Sequence, residues 1–429
     1  MKFYSTNNRS LTVSFRDAIF NSLPLDNGLY YPEEIPTLES SFIADLKSKS
    51  KEEIAFEIAG SFIGNEIPKE DLRSIIEETV NFDFPLVEVE NGIHALELFH
   101  GPTWAFKDLG ARFLSRCMRY FINKNEKTIH ILVATSGDTG GAVAAGFHGV
   151  EGIEVTILYP KGKVSALQKK QLTTWGDNIR ALEVDGTFDD CQKMVKTAFL
   201  DKELNEQLSL SSANSINIAR LIPQTFYYFF AFQKLASWEN VVVSVPSGNY
   251  GNLSAGLFAK NMGLPISRFI AASNANKVVP DYLKTGVYQP KPSIETYANA
   301  MDVGAPSNFT RMLEYFDGNV ENMRSLISGF SLLDFDILET MRHCRNANEY
   351  ILDPHGAIGY QALKEGLRDN ETGIFLGTAH PVKFIAILEK AFDKLPDYES
   401  KRKAWESKQS KFQSISNSYD DFRMNLISE

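Results

Sequence analysis

Lys107, in the segment FHGPTWAFKDLGARFL (99–114), is the residue whose sequence neighbours most directly indicate a catalytic role. The stretch from Asp108 onward has the apolar period of an amphipathic helix that Asp108 can cap, so Lys107 is predicted at the last loop position before that helix. Its neighbours Trp104 and Phe106 would desolvate the ammonium group and lower its pKa from about 10.4. A neutral amine can attack an aldehyde to form a Schiff base, whereas the alternative is an ordinary solvated lysine at a helix start.

A glycine-rich loop, SGNYGN (247–252), lies between an apolar run, VVVSVP (241–246), and a helical pattern rich in small residues. Glycines allow backbone N–H groups to converge on an anion, and a helix N-terminus adds positive dipole. The chain contains neither GxxxxGK[ST] nor GxGxxG, so this is a phosphate cradle without a lysine. A tight strand-to-helix turn is the alternative interpretation.

Two further polar segments follow predicted strands. In TSGDTG (135–140), Ser136 and Thr139, together with the loop amides, could bind a carboxylate. In FLGTAHPVKF (375–384), Thr378 follows a strand directly, at the edge where open α/β sheets bind their ligands. A hydroxyl there could bond a heterocyclic nitrogen. Each segment taken alone is also compatible with a purely structural turn.

The elements that must position these segments alternate regularly from His94 onward. Short apolar runs predict buried strands, and the stretches between them have helical periodicity. The predicted strands are TIHILVA (128–134), IEVTILYP (153–160), NIRALEV (178–184), VVVSVP (241–246), SRFIAAS (267–273) and GIFLGTA (373–379). Strands that alternate with helices indicate βαβ units and a mostly parallel sheet.

Composition narrows the class of protein. The chain has 429 residues, of which 43% are hydrophobic, and a formal net charge of −10. An acidic surface argues against nucleic acid as a partner. Cys117, Cys191 and Cys344 show no metal-ligand spacing, and such a sparse, odd set is typical of a reducing compartment. Without a signal-peptide pattern or an apolar run of membrane-spanning length, the sequence predicts a cytoplasmic protein with no membrane partner.

A family resemblance emerges when the motifs are taken together. HGPTWAFKD, ATSGDTGGA, PSGNYGNLSAG and GTAHPVKF, in this order, resemble the fingerprints of the threonine synthases. The start of the chain, YSTNN and then SFRDAIFNSLPLDNGLYYPEEIP, and the segment NSINIARLIPQ (214–224) resemble the same family, so the resemblance runs nearly end to end. It is to the bacterial and fungal branch, which has this N-terminal region.

The resemblance implies a pyridoxal 5'-phosphate enzyme. It implies that Lys107 carries the cofactor as a Schiff base and acts in catalysis, and that Thr378 meets the pyridine nitrogen. Asp138 takes the place where the wider superfamily usually has Asn beside the cofactor hydroxyl. The residues implied to hold the cofactor phosphate are Gly248, Asn249, Tyr250, Gly251 and Asn252.

The implied fold is the tryptophan synthase β-like α/β fold, with two open, mostly parallel twisted sheets, flanking helices and an N-terminal α+β region. We expect an N-terminal region over 1–90 and a large cofactor-binding domain over 91–127 and 225–395. A small α/β domain would span 128–224. The charged segment 396–429 is predicted to form a solvated, helical C-terminal extension.

The implied reaction converts O-phospho-L-homoserine and water into L-threonine and phosphate, by γ-elimination followed by β-addition of water. This is the last step of threonine biosynthesis. Candidate substrate-binding residues are Thr135, Ser136, Thr139, Lys161, Ser215, Asn217 and Arg220, with Lys163, Arg112 and His355 as further candidates. Guanidinium groups suit bidentate phosphate binding.

Other functions stay open on sequence alone. A phospholyase of the same fold would yield 2-oxobutyrate, and a serine/threonine dehydratase is a further alternative. A non-catalytic cofactor-binding protein is a different class, against which Lys107 and the two anion loops argue. The oligomeric state, monomer or dimer, is not indicated.

Overall fold

A computed structural model describes residues 1–122, 127–395 and 397–427. Its strands are β1 (Phe3–Ser5), β2 (Asn8–Val13), β3 (Tyr30–Pro32), β4 (Leu86–Glu90), β5 (Ile93–Glu97), β6 (Ile129–Ala134), β7 (Ile153–Pro160), β8 (Ile179–Asp185), β9 (Ser209–Ser212), β10 (Val241–Pro246), β11 (Ile266–Ser273), β12 (Ile327–Ser331), β13 (Thr372–Gly377) and β14 (Gln413–Ser416). Its helices are α1 (Phe15–Asn21), α2 (Ser40–Ala44), α3 (Lys51–Ile63), α4 (Lys69–Thr79), α5 (Lys107–Phe121), α6 (Asp138–Phe147), α7 (Ala166–Thr173), α8 (Phe188–Leu200), α9 (Lys202–Gln207), α10 (Ile218–Leu221), α11 (Gln224–Lys234), α12 (Gly251–Asn261), α13 (Val278–Thr285), α14 (Phe309–Tyr315), α15 (Val320–Leu326), α16 (Asp334–Asn348), α17 (Pro354–Gly366), α18 (Ile385–Ala391), α19 (Glu399–Glu406) and α20 (Tyr419–Ile427). Short 3-10 helices cover Leu46–Ser48, Asn299–Met301 and Pro381–Phe384.

The larger sheet has six strands in the order β12-β11-β10-β13-β5-β4. All neighbours pair in parallel except β4 and β5, which form an antiparallel pair at one edge. Its central strand β10 is buried along its whole length, as expected for a parallel sheet covered by helices on both faces. The valine-rich run VVVSVP therefore predicted a strand whose bounds the structure confirms.

The smaller sheet has five strands in the order β14-β8-β7-β6-β9, all parallel. The predicted strand at 153–160 coincides with β7. Together with the larger sheet, this confirms the predicted α/β fold with two mostly parallel sheets.

The C-terminal segment differs from the solvated helix predicted for it. It forms α19, then β14, which pairs with β8, and then α20. Trp405, Ile415 and Phe422 are buried, and these few apolar residues decide its path although charged residues dominate the segment. Pro396, Ser428 and Glu429 of the predicted extension lie outside the described residues, as do residues 123–126 of the predicted large domain.

The N-terminal region is a three-stranded antiparallel sheet, β2-β1-β3, with helices α1 to α4. Ser50 and Glu53 form a capping box that starts α3. The ring of Phe62 on α3 stacks on Phe258 of α12, and Tyr31 of β3 meets the same ring edge-on. The N-terminal region is therefore joined to the larger sheet's helical layer by aromatic packing.

The sequence motifs all follow the carboxyl ends of strands. β6 leads into residues 135–140, β10 into 247–252 and β13 into Thr378. The bridge between Ala105 and Ala379 ties the segment before α5 to the end of β13. This topology brings the motifs to facing edges of the two sheets. Within the described ranges, no helix combines the length and the apolar character needed to cross a membrane.

Candidate active site

A cleft lies between the two sheets, and all four motifs reach it. Most of the predicted site residues line it. They are Lys107, Thr135, Ser136, Thr139, Ser215, Arg220, Gly248, Asn249, Tyr250, Gly251, Asn252 and Thr378. The cleft has the convergent polar groups of a small-molecule site.

Lys107 is the first residue of α5, and its side chain is partly buried in the cleft wall. Burial lowers the pKa of its amine to about 8, and the positive charges of Lys383 and Arg220 add to this effect against the opposing charge of Asp138. Such an amine is largely available in its neutral, nucleophilic form at mildly alkaline pH.

Asp108 does not cap α5, contrary to the sequence prediction. The N-cap position belongs to Phe106, which makes no side-chain cap bond. The buried Asp108 carboxylate instead accepts hydrogen bonds from the Thr103 N–H at 2.9 Å and the Thr103 hydroxyl at 2.5 Å. Because Asp108 lies inside the first turn, its side chain folds back to hold the turn that precedes Lys107.

The loop Gly248–Asn252 forms a cradle of backbone donors at the start of α12. The N–H groups of Gly251 and Asn252 lie at the helix N-terminus, where no intrahelical acceptor is available. No protein acceptor meets the N–H groups of Gly248, Asn249 or Tyr250 in the part of the chain that the structure describes. These donors fit a phosphate group.

Steric and side-chain contacts keep this cradle in shape. A Cβ atom on Gly248 would lie 2.8 Å from the Met301 Cα and 2.9 Å from the Ala300 carbonyl, so only glycine fits there. The Asn252 side chain donates to the Pro246 carbonyl at 2.9 Å and accepts from the Ser247 hydroxyl at 2.5 Å. Asn252 therefore holds the loop internally through its side-chain amide.

Asp138 is the first residue of α6 and is buried behind the cleft surface. Its Oδ1 accepts hydrogen bonds from the Lys383 ammonium at 2.8 Å and the Gln168 amide at 2.9 Å. Burial acts to raise the pKa of this carboxyl, but the charges of Lys383 and Lys107 outweigh burial and hold the pKa well below its usual range. Asp138 is therefore ionised.

Lys383 is a residue whose importance the sequence analysis missed. Its side chain is fully buried, and its ammonium also donates to the Thr103 carbonyl at 2.8 Å. The signal was its position between Val382 and Phe384 within the same motif as Thr378, because a lysine flanked by apolar residues close to a site is a candidate for burial.

The loop 135–140 is ordered by Thr135. Its hydroxyl oxygen accepts from the N–H groups of Gly137 at 3.0 Å and Gly140 at 2.9 Å, which leaves its proton free to donate. The hydroxyls of Ser136 and Thr139 make no hydrogen bond to any residue in the described ranges, and both line the cleft. The loop thus offers several donors to an anion.

Arg220 is a buried cation that lines the cleft. It donates to the carbonyls of Ala213 and Lys107, while its Nε finds no acceptor among the residues that the structure describes. Burial lowers the pKa of this guanidinium to about 10, against the opposing charge of Asp108. A buried arginine held only by neutral carbonyls favours an anionic ligand beside it.

Ser215 lies beside Arg220 in the same wall, and its hydroxyl accepts from the Asn308 amide at 3.2 Å. Thr378 also lines the cleft. Its carbonyl accepts from the Phe106 N–H at 2.9 Å, and its hydroxyl has no hydrogen-bond partner among the described residues. That hydroxyl can therefore bond a ring nitrogen.

His355 also reaches the cleft. Its Nε2 accepts from the Ala300 N–H at 3.2 Å, and its Nδ1 lies 2.6 Å from the Asp353 carboxylate. The proton is therefore assigned to Nδ1, and His355 is a structural bridge behind residues 300 and 301.

Four sequence candidates are not brought to this cleft. Lys161 is exposed in the turn after β7, and Asn217 is buried where it caps α10 and donates to the Ile19 carbonyl at 2.8 Å. Lys163 forms an ion pair with Glu295, and Arg112 donates to the Glu78 carbonyl. The side chains of Asn217, Lys163 and Arg112 are used elsewhere and Lys161 is exposed, which spacing in the sequence could not reveal.

Comparison with known proteins identifies similar chains. The family model described as "Pyridoxal-phosphate dependent enzyme" matches residues 83–376, and the model described as "Threonine synthase N terminus" matches residues 2–80. The chain is 47% identical over 392 residues to the threonine synthase of Haemophilus influenzae, covering 91% of each chain. It is 43% identical over 387 residues to that of Escherichia coli K12, covering 90% of this chain and 89% of the relative.

Solved structures agree with these similarities. The crystal structure of threonine synthase from Escherichia coli superposes with a TM-score of 0.92 at 40% identity, covering 100% of both chains. A pyridoxal phosphate-bound threonine synthase from Brucella melitensis superposes with a TM-score of 0.93 at 34% identity, covering 99% of this chain and 98% of that one.

Proposed function

Because this chain belongs to the threonine synthase family and is a pyridoxal phosphate-dependent enzyme, we propose that its cleft converts O-phospho-L-homoserine and water into L-threonine and phosphate. The observation that carries the proposal is the combination of a desolvated amine at Lys107 with separate anion-binding features in one cleft. The substrate and the cofactor each bring a phosphate, so two such features are needed.

The residues present fit the cofactor. Lys107 would hold it covalently, the N–H groups of the Gly248–Asn252 cradle would bind its phosphate, and Thr378 would meet its ring nitrogen. Asp138 would lie beside its hydroxyl. When bound, pyridoxal phosphate supplies an electron sink for negative charge that develops at the substrate α-carbon.

Lys107 is the proposed catalytic base. Its lowered pKa supports removal of the Cα proton by a neutral Nζ, which then carries that proton within the cleft. Phosphate leaves Cγ after a Cβ proton is also lost, and Cγ then gains a proton. Water adds its hydroxyl at Cβ, its proton passes to the released phosphate, and Cα regains a proton to give threonine. The neutral hydroxyl of Thr378 would meet the ring nitrogen without enforcing a proton on it, as a carboxylate would.

The substrate's own anionic groups have two proposed positions. Arg220 and Ser215 would bind the phosphate, since Arg220 is a buried cation without a carboxylate partner among the described residues. Thr135, Ser136 and Thr139 would bind the α-carboxylate through hydroxyl and backbone donors.

We also propose that the two parts of the protein move relative to each other during the reaction. The two sheets would act as a large and a small domain that close on substrate and exclude water until the hydration step. The three buried, unpaired cysteines support a cytoplasmic location.

Product analysis tests this function. Wild type and Lys107→Ala are incubated with O-phosphohomoserine, and threonine, 2-oxobutyrate and phosphate are measured separately. We expect threonine and phosphate in equal amounts from wild type and neither from the variant. Phosphate with 2-oxobutyrate would mean a phospholyase, and no turnover by folded, cofactor-loaded wild type would refute the substrate assignment.

A further inference from the structure

Lys383 occupies an unusual position for a lysine. It lies in the 3-10 helix Pro381–Phe384, and its side chain has no exposure to solvent. Its ammonium is held between the Asp138 carboxylate and the Thr103 carbonyl, both at 2.8 Å. Lysine is almost never fully buried unless it is paired, because desolvating the charge is costly.

The contacts of Asp138 are distributed unevenly between its two oxygens. Oδ1 accepts from both Lys383 and Gln168, whereas Oδ2 accepts no hydrogen bond from any residue in ranges 1–122, 127–395 and 397–427. The carboxylate is thus fixed through one oxygen, and the other oxygen is left for a ligand. Gln168 is itself fixed, because its Oε1 accepts from the Ser165 N–H.

The charges around Lys107 show why this pairing matters. Asp138 on α6 is the carboxylate whose charge favours the protonated form of the Lys107 amine, while Lys383 and Arg220 disfavour it. The Asp108 carboxylate on α5 already accepts hydrogen bonds from Thr103. Without Lys383, the buried Asp138 would have only Lys107 as a neighbouring cation of comparable influence.

We propose that Lys383 is a positioning residue that orients Asp138 and balances its charge, so that the Lys107 amine is not recruited as the counter-ion of this carboxylate. The role rests on the proposed function of Lys107 but concerns a property of the cofactor-free protein. Lys383 touches neither the cleft surface nor the reacting atoms, and it acts through Asp138.

The test measures how the reactivity of Lys107 depends on pH. Cofactor-free protein is labelled with trace acetic anhydride across a pH series, and acetylation of Lys107 is quantified by peptide mass spectrometry. In Lys383→Met the midpoint is expected to rise by about one pH unit or more, because the unpaired carboxylate retains the proton on Lys107. In the double variant Asp138→Asn/Lys383→Met the midpoint is expected to return to within about half a unit of wild type.

A second lysine–carboxylate pair provides a matched control. Lys169 and the buried Glu183 lie 2.6 Å apart outside the cleft, so Lys169→Met is expected to leave the Lys107 midpoint unchanged. The proposal would be overturned if the Lys107 midpoint in Lys383→Met shifted no more than it does in this control. It would also be overturned if adding Asp138→Asn did not reverse the shift.

Circular dichroism is used to check that each variant folds, and the result gives a second test of the proposal. If Lys383→Met does not fold, the double variant is expected to fold, because the unpaired buried carboxylate has been removed. Loss of the fold in the double variant, with Asp138→Asn alone folded, would also overturn the proposal. A wild type that makes no threonine would refute the proposed function and leave the titration results intact.

Discussion

The guanidinium of Arg311 donates two hydrogen bonds, each of 3.1 Å, to the carbonyl of Tyr30, and this contact joins the N-terminal sheet to the wall of the cleft. Arg311 is fully buried and also donates to the Ser215 and Ile216 carbonyls and to the Asn308 side chain. The backbone N–H of Asn308 donates to the carbonyl of Asn249 in the phosphate cradle. Arg311 therefore provides one hydrogen-bonded connection between the N-terminal region and the cradle.

Replacing this arginine is expected to weaken both stability and cofactor binding. Arg311→Met would leave several buried carbonyls without donors, at a cost of about 1–3 kcal/mol for each group left unsatisfied. We expect a loss of at least about 3 kcal/mol in urea unfolding, with weaker binding of pyridoxal phosphate. Arg402→Met, which removes an exposed arginine paired with Glu406, serves as the control and is expected to stay within about 0.5 kcal/mol.

The cradle predicts a steric effect at Gly248. A Cβ atom there would meet backbone atoms of residues 300 and 301 at less than about 3 Å, so Gly248→Ala must shift the loop that presents its N–H groups. We expect cofactor affinity to fall at least about tenfold, or 1.4 kcal/mol, by fluorescence titration of the cofactor-free protein. Gly60→Ala on α3, where the new methyl group has room, should bind normally and be slightly more stable.

The lowered pKa of Lys107 predicts a pH-dependent stability. In the folded, cofactor-free protein the amine loses its proton near pH 8, whereas in the unfolded chain it does so near about 10.4. Between these values the unfolded state binds more protons, so the free energy of unfolding gains a contribution that rises with pH. The free energy of urea unfolding of wild type, relative to that of Lys107→Met, should therefore increase from about pH 8 to about pH 10. A difference that stays constant over this range would contradict the assignment.

Arg220 predicts a separation of substrate binding from cofactor binding. Arg220→Met should raise KM for O-phosphohomoserine by about a hundredfold, the loss expected for a charge-assisted phosphate contact, while the absorbance of the bound cofactor stays unchanged. Arg112→Met removes a partly buried arginine outside the cleft and should leave KM unaltered. An equal effect of both substitutions on KM would remove Arg220 from the substrate site.

Much of the fold could be predicted because its strands are continuous apolar runs bounded by glycine-rich loops, as β7 and β10 illustrate. The family resemblance implied that Lys107, Thr378 and the Gly248–Asn252 loop converge, and the structure gives the reason, since β5, β13 and β10 are parallel and their carboxyl ends share an edge. These inferences depend on local pattern and chain order, and both are visible in a sequence.

The parts that escaped prediction depend on long-range pairing. The ion pair of Lys383 with Asp138 joins the two sheets, and no spacing marks it. Asn217 was a candidate substrate-binding residue, yet its amide donates to backbone carbonyls instead. Strand β14 has the sequence QSIS and a single buried side chain, so its hydrogen bonds to β8 carry little sequence signal.

The pairing of β14 with β8 has a consequence for how the chain is made. Gln413 pairs with Leu182, so the strand that covers this edge of the smaller sheet emerges from the ribosome long after β8 itself. Until then β8 presents an open row of N–H and C=O groups, which is a template for pairing with another chain. Nascent or truncated chains that lack β14 are therefore exposed to edge-to-edge aggregation, and the smaller sheet is sealed only once β14 has been made and has paired with β8.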